Sequence, residues 1–269
     1  MSRSQTWFDA LSTQTLPSPY RSIAIADTDL GSGTPARLLA VVPDPDNEFP
    51  RARHGEVGLL EGIGLAHAIR EVIELDSSLA DDQRRSIVAV VDIPSQAYGR
   101  LEEQFGEHLY IAAAVDAYAA ARVAGHPVIA LVVGSAISGG FLAHGLQASQ
   151  ILALDDDKIE IQAIHKPAAA RITLRTIAEL DELAKIVTPL SFDVREWATL
   201  GYCDGLLKVS NPDQPTGADV SLASGALRDA VVRARLGQRD LTNRLQSAQA
   251  QHARRASLQA RRRLTEQWA

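Results

Sequence analysis

The stretch from Pro127 to Gly145, PVIALVVGSAISGGFLAHG, constrains the fold of this chain more than any other. An unbroken apolar run from Pro127 to Val133 stops at Gly134, and after a short polar bend a helix-like apolar segment resumes at Phe141. The pattern reads strand, turn, helix. Gly139 and Gly140 follow Ser138 where the helix should begin. Two backbone N–H groups without a shielding Cβ can therefore face a ligand beside the positive end of the helix dipole. That arrangement suits an anion or an oxyanion. The competing reading is a tight turn in which the glycines only permit close packing.

The rest of the chain supplies the context. Ser22 to Ala26 and Arg37 to Val42 read as a hairpin, with Gly31 and Gly33 available for positive φ. Glu56 to Asp76 carries Leu59, Ile63, Ala66 and Ile73 at helical spacing and leads to Ser86 to Ile93, whose near-continuous β-branched sequence marks a central strand covered on both faces. A helix expected from Leu101 to Ala124, interrupted only by Gly106, ends at Gly125-His126-Pro127. Short strands are expected at Gln150 to Leu154, Lys158 to Gln162 and Leu206 to Val209, with helices at Thr176 to Ile186 and Asp193 to Leu200. Strand alternating with crossover helix predicts an α/β fold with a largely parallel sheet. The expected organisation is an N-terminal extension over 1–21, the main domain over 22–217 and a helical C-terminal region over 218–269. That last region, expected as one or two long helices, holds ten arginines from Arg228 to Arg263, read either as a solvated face or as a dock for an acidic partner.

A chain of 269 residues buries a sizeable core, and a net charge of −6 gives no nucleic-acid surface. The single cysteine, Cys203, excludes an intramolecular disulfide and a thiolate metal cluster, and is expected as a small buried apolar residue. The N-terminus lacks the apolar core of a signal peptide and no run is long enough to span a bilayer, so a cytoplasmic protein without membrane contact is expected.

Ligands in parallel sheets gather at the strand carboxyl ends, where the loops after Val42, Ile93 and Val133 should emerge together. The first carries Arg51, Arg53 and His54, the second Ser95, Gln96 and Tyr98, and the third the Ser138-Gly139-Gly140 turn. Ser138 is either a helix cap or a donor to a bound carboxylate. Gln96 and Tyr98 either line the cleft or form a plain turn. His165 either orients substrate and shuttles a proton or is structural. Ala136-Ile137-Ser138-Gly139-Gly140 also approaches the G-x-S-x-G elbow of serine hydrolases, with Asp155 and His165 following in that chain order. Only 27 positions separate Ser138 from His165, which is short for an acid and a base on separate later strands.

Four segments, PRARHGEVGLLEG from Pro50, DIPSQAYGRLEE from Asp92, ARVAGHPVIALVVGSAISGGFLAHG from Ala121 and HKPAAARIT from His165, together resemble the gamma subunit of biotin-independent malonate decarboxylase. That family lies in the carboxyltransferase branch of the crotonase-like superfamily. The resemblance implies a crotonase-like ββα superhelix and a reaction in which a malonyl thioester, carried on the CoA-derived prosthetic arm of an acyl-carrier protein, loses CO₂ to leave the acetyl thioester. It implies a homologous beta subunit that completes the active site, a larger hetero-oligomer, and no metal or cofactor bound by this chain. Electrons released with CO₂ must enter the thioester carbonyl, so preorganised N–H donors are the main catalytic need. The resemblance thus gives Gly139 and Gly140, with Ser138, the catalytic role, and His165, Gln96 and Tyr98 a place beside the substrate. The alternatives are a carboxyltransferase domain acting on carboxybiotin, a serine hydrolase, and a scaffold that completes a partner's pocket without adding a catalytic group.

Overall fold

The computed structural model describes residues 2–268. The chain opens with α1 (Arg3–Leu11), whose N–H of Gln5 donates to the Ser2 hydroxyl and whose Trp7, Phe8 and Leu11 are buried. The first 21 residues, expected as an extension, thus enter the main core. They also form an edge strand, β1 (Gln14–Leu16), which the prolines at Pro17 and Pro19 obscured in the sequence pattern. The expected hairpin forms from β2 (Ile23–Asp29) and β3 (Pro35–Val41). Next come α2 (Leu59–Leu75) and β4 (Ser86–Ile93), the latter matching its expected bounds. The helix expected from Leu101 splits into α3 (Arg100–Gln104) and α4 (Glu107–Val123), because Gly106 takes a left-handed φ of 80°.

The central stretch becomes β5 (Val128–Ile137) and α5 (Ser138–Ala143), followed by β6 (Gln150–Leu154) and β7 (Ile161–Gln162). Helices α6 (Lys166–Ile172), α7 (Ile177–Ala184) and α8 (Val194–Trp197) precede β8 (Gly205–Leu207). The sheet order is β1-β2-β3-β4-β5-β6-β8, parallel from β3 onward, with β7 added to the far end of β5. Helices α2 and α4 pack together over one face. The other face is covered by α1 and α9 (Gly217–Leu236).

After α9 the chain breaks into α10 (Ala248–Ala253) and α11 (Arg255–Trp268) rather than one or two long helices. Its ten arginines divide. Arg228, Arg235, Arg239 and Arg244 donate to main-chain carbonyls of the domain, Arg233 donates to Gln150, and Arg254 lies over the Tyr202 ring at 4.7 Å. Arg255, Arg261, Arg262 and Arg263 are exposed, as both the solvated-face and the docking readings require. Cys203 is half-buried against the core, with its thiol pushed up to about 12 by burial. Among the described residues no helix is long and apolar enough to cross a membrane.

The polar bend expected at Gly134 is instead a β-bulge. While β4 advances from Val91 to Ile93, β5 advances from Val132 to Ala136. The main-chain groups freed there find side chains. The Ser135 N–H donates to Asp92 Oδ1 at 2.9 Å, and the Val133 carbonyl accepts from Arg3 Nη1 at 3.1 Å. Asp92 Oδ2 also accepts the Arg3 N–H at 3.0 Å. Gly134 is required because a Cβ there would lie 2.1 Å from Asp92 Oδ1. Gly134→Ala is therefore expected to cost about 1–3 kcal/mol, read from urea unfolding. The same change in an Asp92→Ala background should cost clearly less, and a strictly additive double mutant would contradict the clash.

Candidate active site

Because β3, β4 and β5 are parallel neighbours, the loops that follow them meet on one side of the sheet, as expected. The loop after β4 is tied to the start of α2 by main-chain bonds, Val57 N–H to the Ser95 carbonyl and Ala97 N–H to the Val57 carbonyl. It is tied to the turn after β5 by the Ser138 hydroxyl, which donates to Gln96 Oε1 at 3.3 Å. Gln96, Ser138 and Gly139 thus form one group.

The turn differs from a capped helix start. Ser138 is the first residue of α5 and sits at φ 67°, an unfavourable left-handed conformation for a residue with a Cβ. Its hydroxyl makes no capping bond, so the cap reading is corrected: Gln96 has taken the hydroxyl. The two glycines also part. Gly140 is buried, and a Cβ there would lie 2.5 Å from the Ser95 carbonyl oxygen and 2.7 Å from Ile93 Cγ2, so it permits close packing. Gly139 is half-buried, and a Cβ there would meet only the end of the Gln96 side chain, at 2.3 Å. Among the described residues neither glycine N–H has an acceptor, as expected of the first turn of a helix.

Gly139 is shared by two clefts. One, of about 470 Å³, lies between α4 and α5 and is lined by Gln96, Glu107, Ile111, Val115 and Leu142. The other, of about 330 Å³, is walled by Phe141, Trp197 and Tyr202, with Gln162 at its edge. Trp197 stacks on Tyr202 at 5.4 Å and meets Phe141 edge-on at 6.0 Å, so the three rings of that wall pack on one another.

The remaining sequence candidates lie outside these walls. Tyr98 is 72% exposed. His165 is exposed at the start of α6, and its ring makes no hydrogen bond among the described residues. Arg51 uses its N–H to reach Glu102, Arg53 donates from Nε to the Asn47 carbonyl, and the His54 N–H binds Glu56. Asp155 pairs with Arg195, so neither acid nor base reaches Ser138 and the hydrolase constellation does not form.

Sequence reasoning missed His144, which fixes α5 from below. Its Nε2 lies 3.2 Å from the Val90 carbonyl, an acceptor only, so Nε2 carries the proton and Nδ1 accepts from the Tyr118 hydroxyl at 2.9 Å. It also missed Glu107, Trp197 and Tyr202 as lining residues. Glu107 fell inside the helix expected from Leu101 to Ala124 and was not singled out, and only tertiary packing buries it.

A model of the malonate decarboxylase gamma subunit matches residues 52–268 of this sequence. The chain belongs to that family. Two crystal structures of Pseudomonas malonate decarboxylase are each 48% identical, with both chains covered over 100% of their length. The hetero-tetramer in complex with coenzyme A superposes at a TM-score of 0.92, and the MdcD-MdcE hetero-dimer at 0.88. A malonyl-S-ACP:biotin-protein carboxyltransferase of Malonomonas rubra is 41% identical over 142 residues, 52% of this chain and 48% of that protein, so the match spans about half of the relative's length. Transcarboxylase 12S, at 17% identity and a TM-score of 0.57 over 81% of this chain and 36% of its own, shares the fold alone. The chain thus has the crotonase-like carboxyltransferase fold and is a malonate decarboxylase subunit.

Burial holds His144 neutral, moving its pKa from 6.5 down to about 4. Above pH 6.5 both folded and unfolded chains are neutral at this site. Between 6.5 and 4 only the unfolded chain takes the proton, so the His144 contribution to stability should fall with pH there, by about 3 kcal/mol in total. His144→Gln does not titrate and should lose that component, seen in urea unfolding as a difference between variant and wild type that moves in the variant's favour by about 3 kcal/mol from about pH 7 to about pH 4.

Proposed function

We propose that this chain acts with a homologous beta subunit to release CO₂ from a malonyl thioester presented by an acyl-carrier protein, within a larger hetero-oligomer. One observation carries the reading: the acceptor-free amide of Gly139 stands at a helix start between two clefts. In a chain of this family such a donor is placed to hold the malonyl carboxylate, with the beta subunit holding the thioester oxygen where enolate charge develops. Gly140 contributes its own N–H and the close packing that fixes the turn. Gln96 restrains Ser138 and closes one side of Gly139.

Exposed apolar side chains on the elements that wall the first cleft support a partner subunit. Leu142 of α5, which lines both clefts, is 45% exposed, and Leu101, Phe105 and Leu109, on α3, at its end and at the start of α4, are exposed as well, at 60% for Phe105 and 64% for Leu109. Exposed apolar side chains of this size suit a protein partner better than water. The Pseudomonas hetero-dimer and tetramer favour the same assembly, and the M. rubra relative favours a malonyl group on an acyl carrier. The name of that relative also supports a second reading, transfer of the carboxyl group to a biotin protein. The same amides serve both reactions, and sensitivity to avidin separates them.

CO₂ release from a malonyl thioester is expected only when this chain and the beta subunit are combined, and avidin should not inhibit it. Full activity of the beta subunit alone would favour the scaffold reading. Gly139→Ala has an ordinary backbone conformation to occupy and displaces only the Gln96 side-chain end. It should lower kcat by about 10²-fold in a complex of unchanged melting temperature, since a small misplacement at the reacting centre is enough. Gly140→Ala meets the Ser95 carbonyl and should lower stability and activity together. Equal effects of both on stability, with activity following stability alone, would reduce the turn to packing. Leu109→Glu should weaken association with the beta subunit, measured by gel filtration, and leave the melting temperature of the isolated chain unchanged.

A further inference from the structure

We infer that Glu107 is the general acid that protonates the carbon left behind when CO₂ departs, an assignment that rests on the decarboxylase reading above. Glu107 is the first residue of α4, placed there by the left-handed Gly106, and its side chain is buried with the residue only 1% exposed. Yet it lines the cleft that Gly139 and Gln96 also line. Its Oε1 is buried without a hydrogen-bond partner among the described residues.

The neighbouring buried acids differ. Glu61 accepts from the Ser22 hydroxyl, the Asn47 amide and the Gly58 N–H, and Glu102 accepts from the Arg51 N–H. Those two are spent on holding loops. Of the three, only Glu107 lines the cleft, and only its carboxyl has a buried oxygen without a partner among the described residues. A native chain seldom leaves a buried carboxyl oxygen unpaired without a use for it.

The charges facing Glu107 favour a proton on it. Glu61 approaches from α2 and Glu102 and Glu103 from α3, while His108 and Asp116 stand on the same cleft wall and, among the described residues, no lysine or arginine lines it. Burial first, then the carboxylates of Glu103 and Glu102, push Glu107 up to about 7, against the opposing pull of the helix start and the Ala97 N–H. A buried acid near that value is matched to proton transfer at neutral pH.

The step balances. The bond between the malonyl carboxylate and C2 breaks, CO₂ leaves, and the electron pair enters the thioester carbonyl as an enolate. As the enolate collapses, C2 takes the proton from the Glu107 O–H and becomes the methyl of the acetyl thioester. The Glu107 carboxylate then recovers a proton from water, so one proton is consumed per CO₂ released.

The test uses the complex of this chain with its beta subunit and a malonyl thioester, following CO₂ release against pH for wild type, Glu107→Gln, Glu107→Asp and Gly139→Ala. Wild-type kcat should fall as pH rises through about 7, because the acid form is lost. Glu107→Gln keeps the shape of the protonated acid, so it should assemble normally and lose kcat by about 10²-fold or more, with KM little changed and that pH limb abolished. Glu107→Asp should retain the limb at reduced rate. A Glu107→Gln complex within threefold of wild type, or one that is slower but keeps the limb, would overturn the assignment while leaving the decarboxylase intact. An inert wild-type complex, or one indifferent to Gly139→Ala, would overturn the underlying reading and Glu107 with it.

Discussion

Asp92 holds together the part of this structure on which the site depends. Its two carboxylate oxygens accept the Ser135 N–H, freed by the bulge in β5, and the N–H of Arg3 at the start of α1. The Arg3 guanidinium closes the circuit on the Val133 carbonyl and also binds Asp213 in the loop before α9. One acid thus joins the central strand to the N-terminal helix, and through Arg3 to the C-terminal half of the chain. Without these partners the bulge would leave main-chain groups unpaired inside the fold. With them β5 continues to Ile137 and pairs with β7, and the Ser138 turn is set beside the loop that follows β4.

From that platform the turn is fixed on three sides. His144 and Tyr118 anchor α5 beneath, Gly140 lies against the Ser95 carbonyl, and Gln96 holds Ser138 in its strained conformation. What remains open is main chain. The same region sets two buried ionisable groups against each other. His144, kept neutral, disfavours folding as pH falls below 6.5, whereas Glu107, kept protonated up to about 7, disfavours folding as pH rises above 4.5. Their slopes oppose over the shared interval, so the intact protein should look less pH-sensitive than either group alone.

Much of the sheet was legible because its rule is local. Ser86 to Ile93 is a run that only a doubly covered strand accommodates, and the turn residues between Asp29 and Pro35 dictated the hairpin. The glycine turn was legible as a strand-to-helix junction, though not how its members divide the work. That division depends on which neighbour faces each Cβ direction, Ser95 for Gly140 and Gln96 for Gly139. The end of β5 was misread because Gly134 signals a stop in one dimension and an Asp92 contact in three. Half of the arginine-rich tail was misread for a similar reason: a guanidinium bound to carbonyls looks, in sequence, like one bound to water. Glu107 and His144 carried no pattern at all, since burial of a lone polar residue is decided by elements far along the chain.

The bulge in β5 has one further consequence. It gives β5 an even surplus over β4 between Val132 and Ala136, so residues before and after it keep the same inside-outside phase while the strand gains length. An odd surplus would send every later side chain to the opposite face. Length and phase are thereby separable here: a variant with a longer or shorter β5 can move the turn toward or away from the partner in steps of two residues and still present the same atoms, whereas no single-residue insertion can.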